Sequence, residues 1–235
     1  MNLDRLTKTA GEWLRGTGPE SDIVMCSRIR LARNLAEFPF GTRASRSEKL
    51  DIERLVNNAI RQKALELEYA DVNSMNLLDR QFLVERQLIS RELASSDGPR
   101  GVAFGPRENV SIMVNEEHHL RIQVMNSGLS LHEVWEQIND LDDRLEETLN
   151  YAFSPELGYL TACPTNLGTG IRVSAMLHLP GLVLGEQINP IIQSVNKLGL
   201  AVRGLYGEGT EALGNVFQVS NQMTLGEAEI VIVER

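Results

Sequence analysis

Five arginines are placed where a folded chain tends to keep its binding groups. Arg28 and Arg30 lie in SRIRLARN, Arg121 closes NEEHHLR, Arg172 follows GTGI, and Arg203 precedes Gly204. A guanidinium is planar and can hold a phosphate through two parallel hydrogen bonds, so several converging ones would make a clamp for a polyphosphate. Side chains alternate along an extended segment, which would put Arg28 and Arg30 on one side. Surface ion pairs would account for each arginine taken singly. Arg28, Arg30, Arg33, Arg43 and Arg46 together would also suit a solvated basic edge. Gly168-Thr169-Gly170 could bring backbone amides close to phosphate, because glycine permits near approach. The segment lacks the GK[ST] ending of a Walker loop and does not match GxGxxG, so neither standard nucleotide fold is called for.

Acidic residues supply a second chemistry. Glu116 and Glu117 lie in a polar turn, and Glu208 sits in the glycine-flanked GEG. Paired hydrogen bonds from such carboxylates could align a planar cation and remove its proton. A guanidinium acceptor needs both services, since it stays protonated up to a pKa of about 12. The plainer alternative is two solvated acidic turns. His118 and His119 come with no HExxH or compact Cys/His set, so no metal site is expected there. His132 and His178 read as surface or helix residues. Cys26 and Cys163 are too far apart in sequence for metal-ligand spacing and too few for a disulfide framework. Cys26 is expected to be packed, and Cys163, before Pro164, to line a polar pocket.

These groups must be positioned by a core. The 235 residues are 42% hydrophobic with a formal net charge of −9, which suits one large domain and argues against a generic nucleic-acid binder. No apolar run approaches the roughly 20 residues of a membrane span. MNLDRLTKTAGEWL reads as a mature start and not an export signal, so a cytoplasmic setting is the default expectation. Trp13 and Leu14 are expected to anchor the N-terminal segment.

Periodicity predicts helices over 47–68, 76–94, from near Ser130, and over 186–198. Ser45 with Glu48, and Ser130 with Glu133, have capping-box spacing. The second helix would bury Leu78, Phe82, Ile89 and Leu93; the last would bury Ile188, Ile191, Ile192 and Val195 and stop at Gly199. The third would turn Leu131, Val134, Trp135, Ile138, Leu145 and Leu149 inward. Alternation predicts strands over 110–114, 120–124 and 215–221, with 23–34 extended, and LAVRGLYGEG at 200–209 resembles a strand entering a tight loop. YLTACPTNLGTGIR reads as strand, glycine turn and helix start. The mixture implies an α+β domain with an antiparallel or mixed sheet flanked by helices, not a doubly wound sheet.

Taken together, GPESDIVMCSRIRLARN, NEEHHLRIQ, YLTACPTNLGTGIR and VRGLYGEGTEALGN, spread in order over residues 18–215, resemble the ATP:guanido phosphotransferase catalytic domain. RLARN and the early position of SRIRLARN resemble its bacterial protein-arginine branch, which lacks the small-substrate kinases' preceding helical domain. The resemblance implies residues 1–235 as one catalytic domain using ATP and Mg2+. Arg28, Arg30, Arg121, Arg172 and Arg203 would surround the phosphates, with Ser27 and Met176 also on the nucleotide side. Glu117 would be the acceptor-binding carboxylate and base, Glu208 would orient the guanidinium, Glu116 would help arrange water around magnesium, and Cys163 would line the acceptor site.

The branch further implies arginine-bearing protein substrates, including unfolded proteins or a transcriptional repressor. An activating adaptor and a protease–chaperone system follow as partners in protein quality control and the stress response, with no direct nucleic-acid or membrane contact. Three positions depart from the family pattern: Cys26 replaces a common serine, His118 the aspartate of NEEDH, and Met176 a nucleotide-facing histidine. Relatives in the branch continue into a helical C-terminal domain for dimerisation and phosphoarginine recognition, whereas this sequence ends in AEIVIVER at Arg235. A small-guanidine kinase and a non-catalytic protein-binding module are the alternative readings.

Overall fold

The computed structural model describes residues 3–8, 10–204 and 213–235. Its frame is an eight-stranded sheet in the order β2-β3-β4-β5-β1-β8-β10-β9. The strands are β1 (Val24–Arg33), β2 (Glu68–Asp71), β3 (Gly101–Phe104), β4 (Val110–Val114), β5 (Leu120–Ser127), β8 (Ile171–His178), β9 (Leu200–Gly204) and β10 (Val216–Asn221). A two-residue hairpin, β6 (Phe153–Ser154) with β7 (Gly158–Tyr159), stands apart. Every neighbouring pair in the large sheet is antiparallel. The α+β expectation therefore holds, and β1, the earliest strand, lies inside the sheet between β5 and β8.

The two faces of the sheet differ. Ile29, Leu31, Ile112, Val114, Leu120, Ile122, Val124, Ile171 and Val173 point to one side and form the main core. They pack beneath α1 (Arg46–Gln62), α4 (Leu131–Glu146) and the short α7 (Glu229–Glu234), whose Ile232 and Val233 are buried. The helix faces expected from periodicity are largely the ones used: of the stripe Ile52, Leu55, Val56, Ala59 and Ile60 in α1 only Leu55 is exposed, and Val134, Ile138, Leu145 and Leu149 from α4 and its end are buried, with Trp135 packed alongside. On the opposite face, α2 (Leu77–Glu85) and α3 (Arg91–Ser95) cover only the β2–β4 end, through Leu83, Leu88, Ile89, Leu93, Val102, Phe104 and Met113. Trp13, Cys26, Met125, Met176 and Val216 close a further patch, while Leu14 is exposed. The strip between these two patches is left open.

Several elements depart from the sequence expectation. The Ser45–Glu48 capping box forms, but α1 stops at Gln62 because Ala64 turns left-handed (φ 47°) and Leu65 N–H donates to Ile60 O. An alanine in that role carries no glycine signal, so the helix was expected to run on to residue 68. Likewise Gln87 (φ 60°) divides the expected 76–94 helix into α2 and α3, and Leu78 is exposed. Ser130 precedes α4 without capping it: its hydroxyl donates to Ser127 O. Pro180 starts α5 (Pro180–Leu184); α6 (Ile188–Lys197) follows and ends before Gly199 (φ 80°), burying Ile192 but leaving Ile191 exposed. GTGIR leads into strand β8, not a helix. Among the described residues no helix is long and apolar enough to cross a membrane.

Arg33 is also not the solvated residue its composition suggested. It follows Ile29 and Leu31 onto the helix-covered face and is only 1% exposed. Asp142 of α4 accepts from its Nε (3.0 Å) and Nη2 (2.7 Å), Glu229 accepts from Nη2 (3.2 Å), and the Tyr159 ring lies 3.6 Å from the guanidinium carbon. Removing one partner of a buried pair strands the other charge. Asp142→Ala is accordingly expected to cost about 3–5 kcal/mol in denaturant unfolding. The triple change R33M/D142L/E229Q, which removes all three charges, should lie much closer to the parent.

Candidate active site

Strand register gathers the arginines on the open strip. Arg30 lies opposite Gln123 of β5 and Arg172 of β8, and Arg28 opposite Met125 and Ser174. Arg121 pairs with Met113, and Arg203 with Gln218. Directly opposed residues project to the same face. Arg28, Arg30, Arg121, Arg172 and Arg203 therefore line one cavity of about 640 Å³ with Gln87, Arg91, Gln123, Cys163 and Gln218. The lining holds six arginines against three carboxylates, Glu92, Glu116 and Glu117, in a chain that is acidic overall.

The arginines are oriented without being fully neutralised. Arg28 donates to two amide oxygens, Gln87 Oε1 (3.1 Å) and Gln218 Oε1 (2.5 Å). Arg172 donates to Asn221 O (3.2 Å) and Ser220 Oγ (3.4 Å). Burial, then repulsion from Arg28, Arg121 and Arg172, pushes the Arg30 guanidinium well below its ordinary value. Arg28 and Arg172 move the same way, each chiefly through burial. Arg30 makes no ion pair within 4 Å among the described residues. Such a cluster is a site for a multiply charged anion.

The two adjacent glutamates do different things. Glu116 has a side chain only 3% exposed, and its oxygens are taken by Arg121 Nη1 (2.5 Å), Ser90 Oγ (2.7 Å) and the Glu117 amide (2.8 Å). Glu117 is 45% exposed and 3.6 Å from Arg121 Nη2, so its carboxylate remains open to a ligand. Cys163 is half-buried, with its Sγ 3.0 Å from Thr165 Oγ1, and lines the same cavity. Glu208 lies outside the described residues.

Two expected cofactor contacts are not placed at the cavity. Ser27 faces the other side of β1, where its hydroxyl donates to Gly128 O and accepts from Ser130 N–H. Met176 shares the arginine face but is covered in the Trp13 patch, its sulfur 3.5 Å from Cys26 Sγ. Nor do the GTG amides face the cavity. Thr169 N–H donates to Thr224 O, and a Cβ on Gly170 would sit 2.7 Å from Ala32 O. These glycines serve close packing between chain segments. Sequence reading missed Gln87 and Gln218, because nothing in their local pattern marks a neutral acceptor for a distant arginine.

His119 acts as an internal strut. His119 Nδ1 accepts from Leu35 N–H at 3.0 Å, so its proton sits on Nε2, which donates to Pro39 O at 3.0 Å. His118 is 1% exposed, with Nδ1 3.7 Å from Glu117 Oε2. Burial first, then Arg121 and His119, push it down to about 4.

With this geometry in view, kinship can be assigned. A nucleotide-sized cationic cavity beside an open carboxylate, on an antiparallel sheet, defines a phosphotransferase-type site. The model of the ATP:guanido phosphotransferase C-terminal catalytic domain matches residues 51–235, and the chain belongs to that family. The protein-arginine kinase of Bacillus mycoides is 50% identical over 99% of this chain and 67% of its own length. That of Desulforamulus reducens is 49% identical over 95% of this chain and 64% of its own. The chain thus spans about two thirds of the length of the curated relatives it matches. The duplicated taurocyamine kinase of Schistosoma mansoni, solved with bound transition-state-analog components, superposes with a TM-score of 0.82 at 26% identity, over 93% of this chain and 32% of that one. A lombricine kinase shares the fold, with a TM-score of 0.80 at 24% identity, over 99% of this chain and 66% of its own.

His118 makes stability depend on pH. Its folded value lies below the unfolded 6.5, so the unfolded chain binds the extra proton first on acidification. The stabilisation is complete above the unfolded value and is lost as pH falls toward the folded one. The thermal midpoint should drop between pH 7 and pH 5, and His118→Asn should flatten that slope.

Proposed function

We propose that this chain is the catalytic domain, read as residues 1–235, of a protein-arginine kinase. It moves the γ-phosphoryl group of ATP to the side chain of an arginine within a protein. The observation that carries this reading is the register-built arginine cluster beside the half-exposed Glu117. The clamp arginines hold the phosphates and stabilise charge developing on the transferred group. Glu117 grips the target guanidinium and takes its proton as the P–N bond forms and the bond to the ADP oxygen breaks. Glu208 is assigned the opposite side of the guanidinium by resemblance. Glu116 fixes Arg121, and Cys163 borders the acceptor.

Magnesium fits this site as a companion of the nucleotide. It is commonly held by phosphate and water with few protein ligands, and Glu116 is assigned a place beside its waters by resemblance alone. Its chemistry is to offset phosphate charge. Unfolded proteins or a repressor as targets, an adaptor, a protease–chaperone partner, a cytoplasmic setting, and roles in protein quality control and stress response belong to the same reading. They rest on the resemblance to the protein-arginine branch.

The likeness to taurocyamine kinase favours a second reading, transfer to a small guanidine. The two separate when the chain, Mg-ATP and either an arginine-rich unfolded protein or free guanidines are incubated and phosphate is located by non-acidic fragmentation mass spectrometry. Phosphoarginine in the protein is expected. Labelling of free guanidines alone would favour the second reading. Glu117→Gln should lower turnover by about 10²–10⁴-fold while ATP binding is retained. Near-parental turnover would remove Glu117 from the base role.

A further inference from the structure

Glu116 and Glu117 border a second cavity, of about 820 Å³, on the side away from the arginine clamp. Its walls include Phe40, Gly41, Arg43, Lys49, Asp97 and Ala162. A guanidinium reaching Glu117 would occupy a small part of this space. The remainder is wide enough for the main chain that carries the guanidinium and for its neighbouring side chains.

The walls are held in place. His119 ties Leu35 and Pro39 together, and Phe38 and Phe40 set their ring edges against it at 6.2 and 5.8 Å. Gly41 follows, and a Cβ there would lie 3.5 Å from Glu117 O and 3.7 Å from the Ala162 Cβ. On the other wall, Asn115 (φ 59°) donates to Lys49 O at 2.9 Å and Pro99 O at 3.2 Å.

The charges are unevenly satisfied. Glu116 and Glu117 already face Arg121, and Asp97 acts on Arg100. Arg43 and Lys49 have no carboxylate within 4 Å among the described residues. Arg43 is exposed and Lys49 half-buried.

We propose that this second cavity is a polypeptide subsite, in which Arg43 and Lys49 select an acidic side chain flanking the arginine to be phosphorylated. The inference rests on protein arginine being the acceptor and adds the sequence context the site prefers.

The test uses matched peptides with one arginine flanked by Glu, Gln or Lys. The parent chain should favour Glu over Gln by roughly three- to tenfold in kcat/KM, and the gap should narrow as salt is added. R43E/K49E should reverse the order toward Lys, and R43Q/K49Q should abolish it. Both variants should keep turnover on the Gln-flanked peptide within about twofold of the parent, which also shows that they fold. A parent chain indifferent to flanking charge, or an acidic preference surviving in both variants, overturns the inference while leaving protein-arginine transfer intact. Free guanidines labelled with no peptide labelled would instead sink the protein-acceptor reading and this inference with it.

Discussion

Burial of several guanidiniums side by side, where desolvation and then like-charge repulsion oppose their charge, is the constraint around which this molecule is organised. Arg28, Arg30 and Arg172 are buried or half-buried on one sheet face, and burial together with their neighbours disfavours their charged forms. A fold keeps such a cluster only if the rest of it holds together independently. Here the opposite face does so, with an apolar core running from α1 through the sheet to α4 and α7. The two faces are separated by the two-residue alternation of β1, which sends Ile29 and Leu31 to the core and Arg28 and Arg30 to the cavity.

The treatment of Arg33 makes the contrast concrete. It lies on the same strand but on the core side, and there Asp142 and Glu229 meet it with carboxylates. Arg28, on the cavity side, is met by the amide oxygens of Gln87 and Gln218. An amide oxygen fixes a guanidinium's direction and leaves its charge available, whereas a carboxylate uses that charge up. Arg121 is intermediate: Glu116 neutralises it, and in doing so Glu116 becomes part of the scaffold that leaves Glu117 open. Two adjacent glutamates are thereby divided between a buried ion pair and an open carboxylate.

Much of this was legible in the sequence. The alternation around Arg28 and Arg30 predicted their shared side, and the 110–124 pattern predicted the hairpin that places Arg121. Placement beside glycines and the resemblance suggested Arg172 and Arg203 for the same clamp, but local alternation could not join them to it, because strand order β5-β1-β8-β10 brings together segments distant in sequence. Failures came where a residue does something its type does not advertise. Ala64 and Gln87 adopt left-handed turns without being glycine. Gly168 and Gly170 look like a phosphate loop but pack against other backbone segments. Ser27 and Met176 follow motif neighbours to the site in sequence, yet one faces the wrong side of β1 and the other is covered by the Trp13 patch.

If a polyphosphate relieves the repulsion in the cavity, its binding must stabilise the fold in proportion to the charge it brings. The direct measurement is the unfolding midpoint of the chain with Mg-ATP, tripolyphosphate or AMP at equal concentration and low salt. Both triphosphates should raise the midpoint well above AMP, and the gain should shrink as salt is added. Equal stabilisation by AMP, or none from either triphosphate, would contradict the account.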